Sequence, residues 1–149
     1  MPDRHLWTRH STKTIAFDGT AGLGLETSDV TVFTITGRVL VHAITAFCTE
    51  DLAGATATLA LGVTGDTDAF IASTTATDID ANDWWAAAAP PAANGVTLAD
   101  SVTGGITTGQ RLKAVSGNIF ITISTADITD GTLVFDVIYT PLTDGARLS

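Results

Sequence analysis

Three histidines and one cysteine are the residues of this 149-residue chain best suited to catalysis or zinc binding. Nucleophilic catalysis needs a serine, threonine or cysteine beside a base, and a structural zinc site needs about four cysteine or histidine ligands. His5 and His10 lie in a polar N-terminal stretch, whereas His42 and Cys48 lie in an apolar one. This scatter favours a core or interface role for His42 and a small apolar role for Cys48. We therefore predict a protein that is not an enzyme, with no zinc site and no cofactor.

One acidic segment resembles the start of a metal site. Oxygen ligands stand at alternating positions, as in an EF-hand calcium loop, at Asp78, Asp80, Asn82 and Asp83. The pattern then departs from that loop, because Asp83 replaces the glycine of the sharp turn and Ala89 replaces the bidentate glutamate. Turn and cap roles are the interpretation we favour, and a calcium site outside the EF-hand class is the alternative.

Trp84 and Trp85 form the most unusual local feature of the chain. Glycosidases combine sugar-stacking aromatic residues with two carboxylates, one of raised pKa, but the acids before this pair lie in a polar segment that keeps them ionised. On a strand, one indole would face the core and the other the solvent. In one interpretation, one indole fills the end of the sandwich and the Pro-rich segment that follows covers the other. In the alternative, one indole anchors a partner or a sugar.

Residues 1–13 are polar and basic. Arg4, Arg9 and Lys13 against Asp3 give this segment a charge of +2, which leaves −11 for the remainder of a chain with net charge −9. An acidic body repels phosphate, so we expect no nucleic-acid partner. A basic arm can lie across an acidic patch of a neighbouring copy, and a mobile tail is the alternative. Including Trp7, the predicted partner-binding residues are Arg4, Trp7, Arg9, Lys13, Trp84 and Trp85.

Short apolar runs broken by Gly and Asp turns must position these residues. Apolar residues make up 45% of the chain and charged residues 15%, yet no run approaches the roughly 18 apolar residues of a membrane span. Residues 38–48 are largely apolar on both faces, which predicts a long strand in the sheet interior. Alternating side chains predict further strands at residues 55–63, 119–124 and 133–139. We expect residues 49–52 to form a turn, residues 77–85 one or two helical turns, and the last two strands a hairpin.

These patterns predict an all-β fold. About eight to ten short strands would form an antiparallel β-sandwich or jelly roll. The expected organisation is an N-terminal arm at residues 1–13, the sandwich at residues 14–141 and a polar C-terminal tail at residues 142–149, with a further short strand near residues 96–98.

Five segments of the chain carry a shared resemblance: residues 32–40 (VFTITGRVL), 47–52 (FCTEDL), 69–72 (AFIA), 77–81 (TDIDA) and 127–133 (DITDGTL). Together they resemble small β-rich structural proteins of tailed bacteriophages and prophages. The resemblance covers roughly residues 15–140 and implies a head-decoration (cement) role more readily than a tail role. The implied partners are the major capsid protein and further copies of the chain, with trimers favoured. The implied location is the capsid surface of the virion.

Assembly in a host cytoplasm fits two further features. Residues 1–5 hold no apolar signal-peptide core, and the lone Cys48 allows no internal disulfide, so we expect folding in a cytosol and no membrane partner. The alternative to head decoration is a tail-tip or fibre-associated module that binds host carbohydrate through Trp84 or Trp85, with calcium held by Asp78, Asp80 and Asp83.

Overall fold

The computed structural model describes residues 7–86 and 113–149, and nearly all of its regular structure is β-strand. β-Branched residues are frequent in these strands because they suit a pleated, half-buried surface. The strands are β1 Arg9–Ala16, β2 Val30–Phe33, β3 Ile35–Thr36, β4 Val39–Ala53, β5 Thr58–Val63, β6 Asp66–Thr75, β7 Trp84–Trp85, β8 Lys113–Val115, β9 Ile119–Ser124, β10 Asp130–Pro141 and β11 Arg147–Leu148. A single 3-10 turn, Ala76–Asp78, follows β6.

The strands form two main antiparallel sheets. In the first sheet the order is β1-β10-β4-β7, and β8 also pairs with β4. The second sheet has the order β2-β9-β5-β6, and β3 pairs with β11 in a separate two-residue ladder. This architecture confirms the predicted all-β antiparallel sandwich. The eleven strands of the described residues slightly exceed the predicted eight to ten, because three of them are only two residues long.

The core lies between the two sheets. β9 contributes Ile119, Ile121 and Ile123 from the second sheet, and β10 contributes Leu133, Phe135 and Val137 from the first. These are the alternating residues that predicted the strands, and each is buried. Burial of such a side chain contributes roughly 1.5–3 kcal/mol, so these facing rows hold the sheets together.

The predicted hairpin of the last two strands is wrong. β9 pairs with β2 and β5, whereas β10 pairs with β1 and β4, so the two strands lie in different sheets. Residues 125–129 cross from one sheet to the other, and the fully buried Ile128 anchors this crossing by donating its N–H to the Gly24 carbonyl oxygen at 2.8 Å. The two strands therefore bury their apolar faces against each other across the core.

The boundaries of the predicted arm and tail also change. Residues 9–13 belong to β1, where Arg9 lies opposite Tyr139 and Lys13 opposite Phe135. The polar sequence of this stretch suits an edge strand, which satisfies the backbone groups of β10. At the other terminus β11 pairs with β3, and Leu148 is buried, so part of the tail belongs to the domain.

Two local predictions are corrected as well. Residues 49–52 do not turn, because β4 continues to Ala53 with irregular pairing to β10. The expected helical turns in residues 77–85 reduce to the turn at Ala76–Asp78, since Trp84 and Trp85 pair with β4 as a strand. The predicted strand near residues 96–98 lies outside the described residues, as do Arg4 and Ala89.

Candidate functional site

A line of side chains crosses the solvent-facing side of the first sheet. Strand pairing sets Thr14 of β1 beside Val134 of β10, Val134 beside Phe47 of β4, and Phe47 beside Trp84 of β7. We call these four residues the outer row. Trp84 is 42% exposed, and its ring lies 4.9 Å from that of Phe47, tilted by 57°. The outer row therefore presents an aromatic pair to solvent on a rigid sheet.

Trp85 points the other way and is fully buried. Its indole N–H donates to the Thr74 hydroxyl oxygen at 3.0 Å, and its ring meets Phe135 edge-on with centroids 6.1 Å apart. A buried indole needs such an acceptor, because an unsatisfied N–H is costly inside a protein. The structure therefore places Trp85 in the core and only Trp84 where a partner can touch it.

Carboxylates flank the outer row on both sides along the strands. Asp136 lies beside Thr12 of β1 and accepts a hydrogen bond from the Thr12 hydroxyl at 2.8 Å, and Nε2 of His10 lies 2.7 Å from the same Oδ1 atom. On the opposite side, Glu50 accepts a hydrogen bond from the Thr132 hydroxyl at 3.0 Å. The candidate site is thus an apolar strip between two negative charges.

The group formed by His10, Thr12 and Asp136 does not have the arrangement of a hydrolase triad. In a triad the imidazole lies between the nucleophile and the carboxylate. Here the histidine and the threonine both contact one carboxylate oxygen, and 3.5 Å separates Oγ1 of Thr12 from Nε2 of His10. The hydrogen bonds instead attach β1 to β10.

His42 has a different environment. Its Nε2 atom lies 2.7 Å from the Thr140 hydroxyl oxygen, and the Thr140 side chain is buried. A buried hydroxyl is not accessible to a substrate, so this pair serves packing within the first sheet.

The basic residues at the start of the domain occupy the edge of the first sheet. Arg9 and Lys13 are exposed, but they lie opposite the inward-facing Tyr139 and Phe135 and so belong to the other side of β1 from the outer row. Trp7, just before β1, is 71% exposed. The structure therefore separates Arg9 and Lys13 from Trp84, whereas Arg4 lies outside the described residues.

The acidic segment before Trp84 is a hydrogen-bonded turn. The Asp83 carboxylate accepts the N–H of Asp80 at 3.2 Å, the Asp51 carboxylate accepts the N–H of Ala81 at 2.6 Å, and Asn82 has a left-handed φ of 76°. Within residues 7–86 and 113–149, no group of three or more His, Cys, Asp or Glu is placed to hold a metal ion. These contacts agree with the turn interpretation.

Cys48 is fully buried on β4. Burial raises the pKa of its thiol to about 11 from the ordinary 9.0, mainly because the thiolate would lose its hydration. The protonated thiol donates a hydrogen bond to the Glu50 carbonyl oxygen at 3.1 Å. The thiol therefore stays protonated at neutral pH and behaves as an apolar group.

Comparison with known proteins adds no relative: no family model, no curated protein and no solved structure matches the chain. Among the described residues, no helix is long and apolar enough to cross a membrane.

Proposed function

We propose that this chain is a bacteriophage capsid decoration protein that binds the outer surface of the major capsid protein lattice and stabilises the head. The observation that carries the proposal is the outer row, in which Trp84 and Phe47 form an exposed aromatic pair on a hydrogen-bonded sheet. Exposed apolar patches bounded by polar residues mark protein interaction sites, and tryptophan is prominent among the residues that dominate binding energy. The resemblance of five sequence segments to phage structural proteins supports a phage head as the particle to which the chain attaches.

A decoration protein acts through many copies, and this architecture suits that mode of action. The two sheets form a stiff scaffold, so little conformational entropy is lost when the outer row is covered. Several individually weak contacts gain strength when linked copies bind a repeating lattice together. We therefore expect a homo-oligomer, with trimers favoured, at symmetry axes of the capsid.

Binding to isolated heads tests the proposal. Purified protein is mixed with heads that lack it, and the bound fraction is measured by co-sedimentation. The variants are Trp84→Ser and the control Leu142→Ser, which removes a side chain of equal 42% exposure just after the end of β10.

Wild type and Leu142→Ser should bind heads saturably, whereas Trp84→Ser should bind at least about 10-fold more weakly, the effect of losing a contact residue of about 1.4 kcal/mol. The decoration role would be contradicted by wild-type protein that does not bind heads. Equal binding of Trp84→Ser and wild type would show that attachment to heads does not depend on the outer row.

A tail-tip or fibre-associated module that binds host carbohydrate is the second candidate. The exposure of Trp84 favours it, because an accessible indole can stack on a sugar ring while the Glu50 and Asp136 carboxylates accept hydrogen bonds from hydroxyl groups. A glycan array with and without a calcium chelator tests this candidate. Glycan binding that disappears in Trp84→Ser would support it, and the absence of any glycan signal would exclude it.

A further inference from the structure

We propose that the outer row is the docking site for the N-terminal segment, residues 1–8, of a second copy of this chain. The inference rests on the proposed function and specifies it: the outer row joins copies to one another, and the joined copies attach to the capsid lattice together. It identifies Trp7 as the residue that meets Trp84.

The direction of β1 excludes a contact between Trp7 and Trp84 of the same copy. β1 begins at Arg9, whereas the outer row crosses this strand at Thr14. With a rise of about 3.4 Å per residue and about 4.8 Å between strands, Arg9 lies roughly 17 Å along and 14 Å across the sheet from Trp84, or about 22 Å away. Two residues span at most about 7 Å, so the Cα atom of Trp7 stays at least about 15 Å from that of Trp84.

Another copy has no such restriction. Trp7 lies two residues before β1, so the outer row of a neighbour can meet it beside that end of the strand. The six residues before Trp7 then have up to about 22 Å of extended chain with which to cross the first sheet of the neighbour. Trp7 is 71% exposed on its own domain, so its indole is accessible to a neighbour.

The two surfaces match in chemistry. Residues 1–8 (MPDRHLWT) bring the apolar Leu6 and Trp7 together with the cationic Arg4, and the outer row offers an apolar strip between two carboxylates. Two indoles pack favourably when offset or edge-to-face, with centroids 4.5–7 Å apart, and a guanidinium also stacks well on an indole. Within residues 1–8 Arg4 offsets Asp3, so the electrostatic match is that of the Arg4 side chain with the carboxylates beside the outer row.

Such a contact is heterologous, since each copy donates one segment and accepts one. Repetition of a heterologous contact closes into a ring when the rotation between copies permits it. A ring of three would match a threefold position on a capsid lattice and would join the weak attachments of its members.

Sedimentation velocity of full-length variants tests the inference. Wild type and the control Leu142→Ser should sediment as oligomers of the 15.3 kDa chain. Trp84→Ser removes the acceptor and Trp7→Ser removes the donor, so each alone should be monomeric, with self-association weakened at least about 30-fold. An equimolar mixture of the two should form a dimer, because Trp84→Ser still donates a segment to the intact outer row of Trp7→Ser. Far-ultraviolet circular dichroism identical to that of wild type checks that each variant is folded.

Three results would overturn the inference: monomeric wild type at high protein concentration, oligomers that persist in either variant, or a mixture that stays monomeric. None of these depends on capsids. Monomeric protein that binds heads would leave the decoration role standing without this contact, whereas self-association by a protein that does not bind heads would do the reverse.

Discussion

The two neighbouring tryptophans of β7 should differ sharply in their effect on stability. Trp85 is fully buried, so Trp85→Ala should lower the free energy of unfolding by about 3–5 kcal/mol, the usual cost of emptying an aromatic site in a core. A domain of this size is stable by about 5–15 kcal/mol in total, so the loss is a large fraction of it. Trp84→Ser removes a side chain that is 42% exposed, and about 1 kcal/mol of packing against Phe47 should be lost.

Urea unfolding of the purified variants measures these losses, provided that the dependence of the free energy on urea concentration is unchanged. Trp85→Phe keeps an aromatic ring next to Phe135 and removes the N–H that donates to Thr74 at 3.0 Å. A double-mutant cycle of Trp85→Phe with Thr74→Val should give a coupling of about 0.5–1.5 kcal/mol, the usual net value of such a hydrogen bond.

Two results would contradict the assignment of Trp84 and Trp85. If Trp84→Ser cost as much as Trp85→Ala, the assignment of Trp85 to the core and Trp84 to the surface would be wrong. A coupling of zero in the cycle would show that the indole N–H does not depend on the Thr74 hydroxyl.

Three further predictions concern other parts of the sandwich. Cys48 should resist a thiol reagent until the protein unfolds. Because burial raises the pKa of its thiol to about 11, the unfolded chain loses this proton at lower pH than the folded protein does. The free energy of unfolding, measured with urea at each pH, should therefore fall between pH 9 and 11 in wild type but not in Cys48→Ala. Gly131→Ala should lower the free energy of unfolding by more than about 2 kcal/mol in thermal or urea unfolding, because φ is +108° and a Cβ atom would lie 2.6 Å from the Asp51 carbonyl oxygen. The control Gly65→Ala, at φ +87° with open space around the Cβ position, should lower it by about 1 kcal/mol. Equal losses would contradict the close approach at Gly131. Asp136→Asn should lower the free energy of unfolding by at most about 1 kcal/mol, because the contact of Asp136 with His10 is largely exposed. It should also speed amide hydrogen exchange in β1 relative to β9. Unchanged exchange in β1 would show that this contact does not hold the strand.

The strands themselves were predictable, and their pairing was not. Alternation in residues 119–124 and 133–139 identifies which side chains are buried, because side chains alternate between the faces of a strand. It does not say whether two such strands lie side by side or face each other, since a loop of five or six residues serves both arrangements. Ile128 is the signal that distinguishes the two arrangements: it is an apolar residue within the loop, and the structure buries it where the chain crosses between the sheets.

The sequence predicted the tryptophan pair of the candidate site but not the other residues of the outer row. Adjacent tryptophans on a strand must face opposite sides, but only the register that sets Ala46 beside Trp85 and Phe47 beside Trp84 tells which one is exposed. Phe47 was missed because residues 38–48 are apolar on both faces and therefore read as a strand buried on both sides. The outer row also needs Val134 and Thr14, which are distant in sequence and meet only through pairing with β10 and β4.

The number of copies of this chain in a purified virion tests the proposed function most directly. Under the proposal a phage encodes the chain, and quantitative mass spectrometry of its virions, with the major capsid protein as internal reference, gives that ratio. A decoration protein whose attachment depends on the outer row should be present in numbers comparable to the capsid protein and should become much rarer in virions carrying Trp84→Ser. A handful of copies per particle, or complete absence from the virion, would contradict the proposal that the chain decorates the capsid.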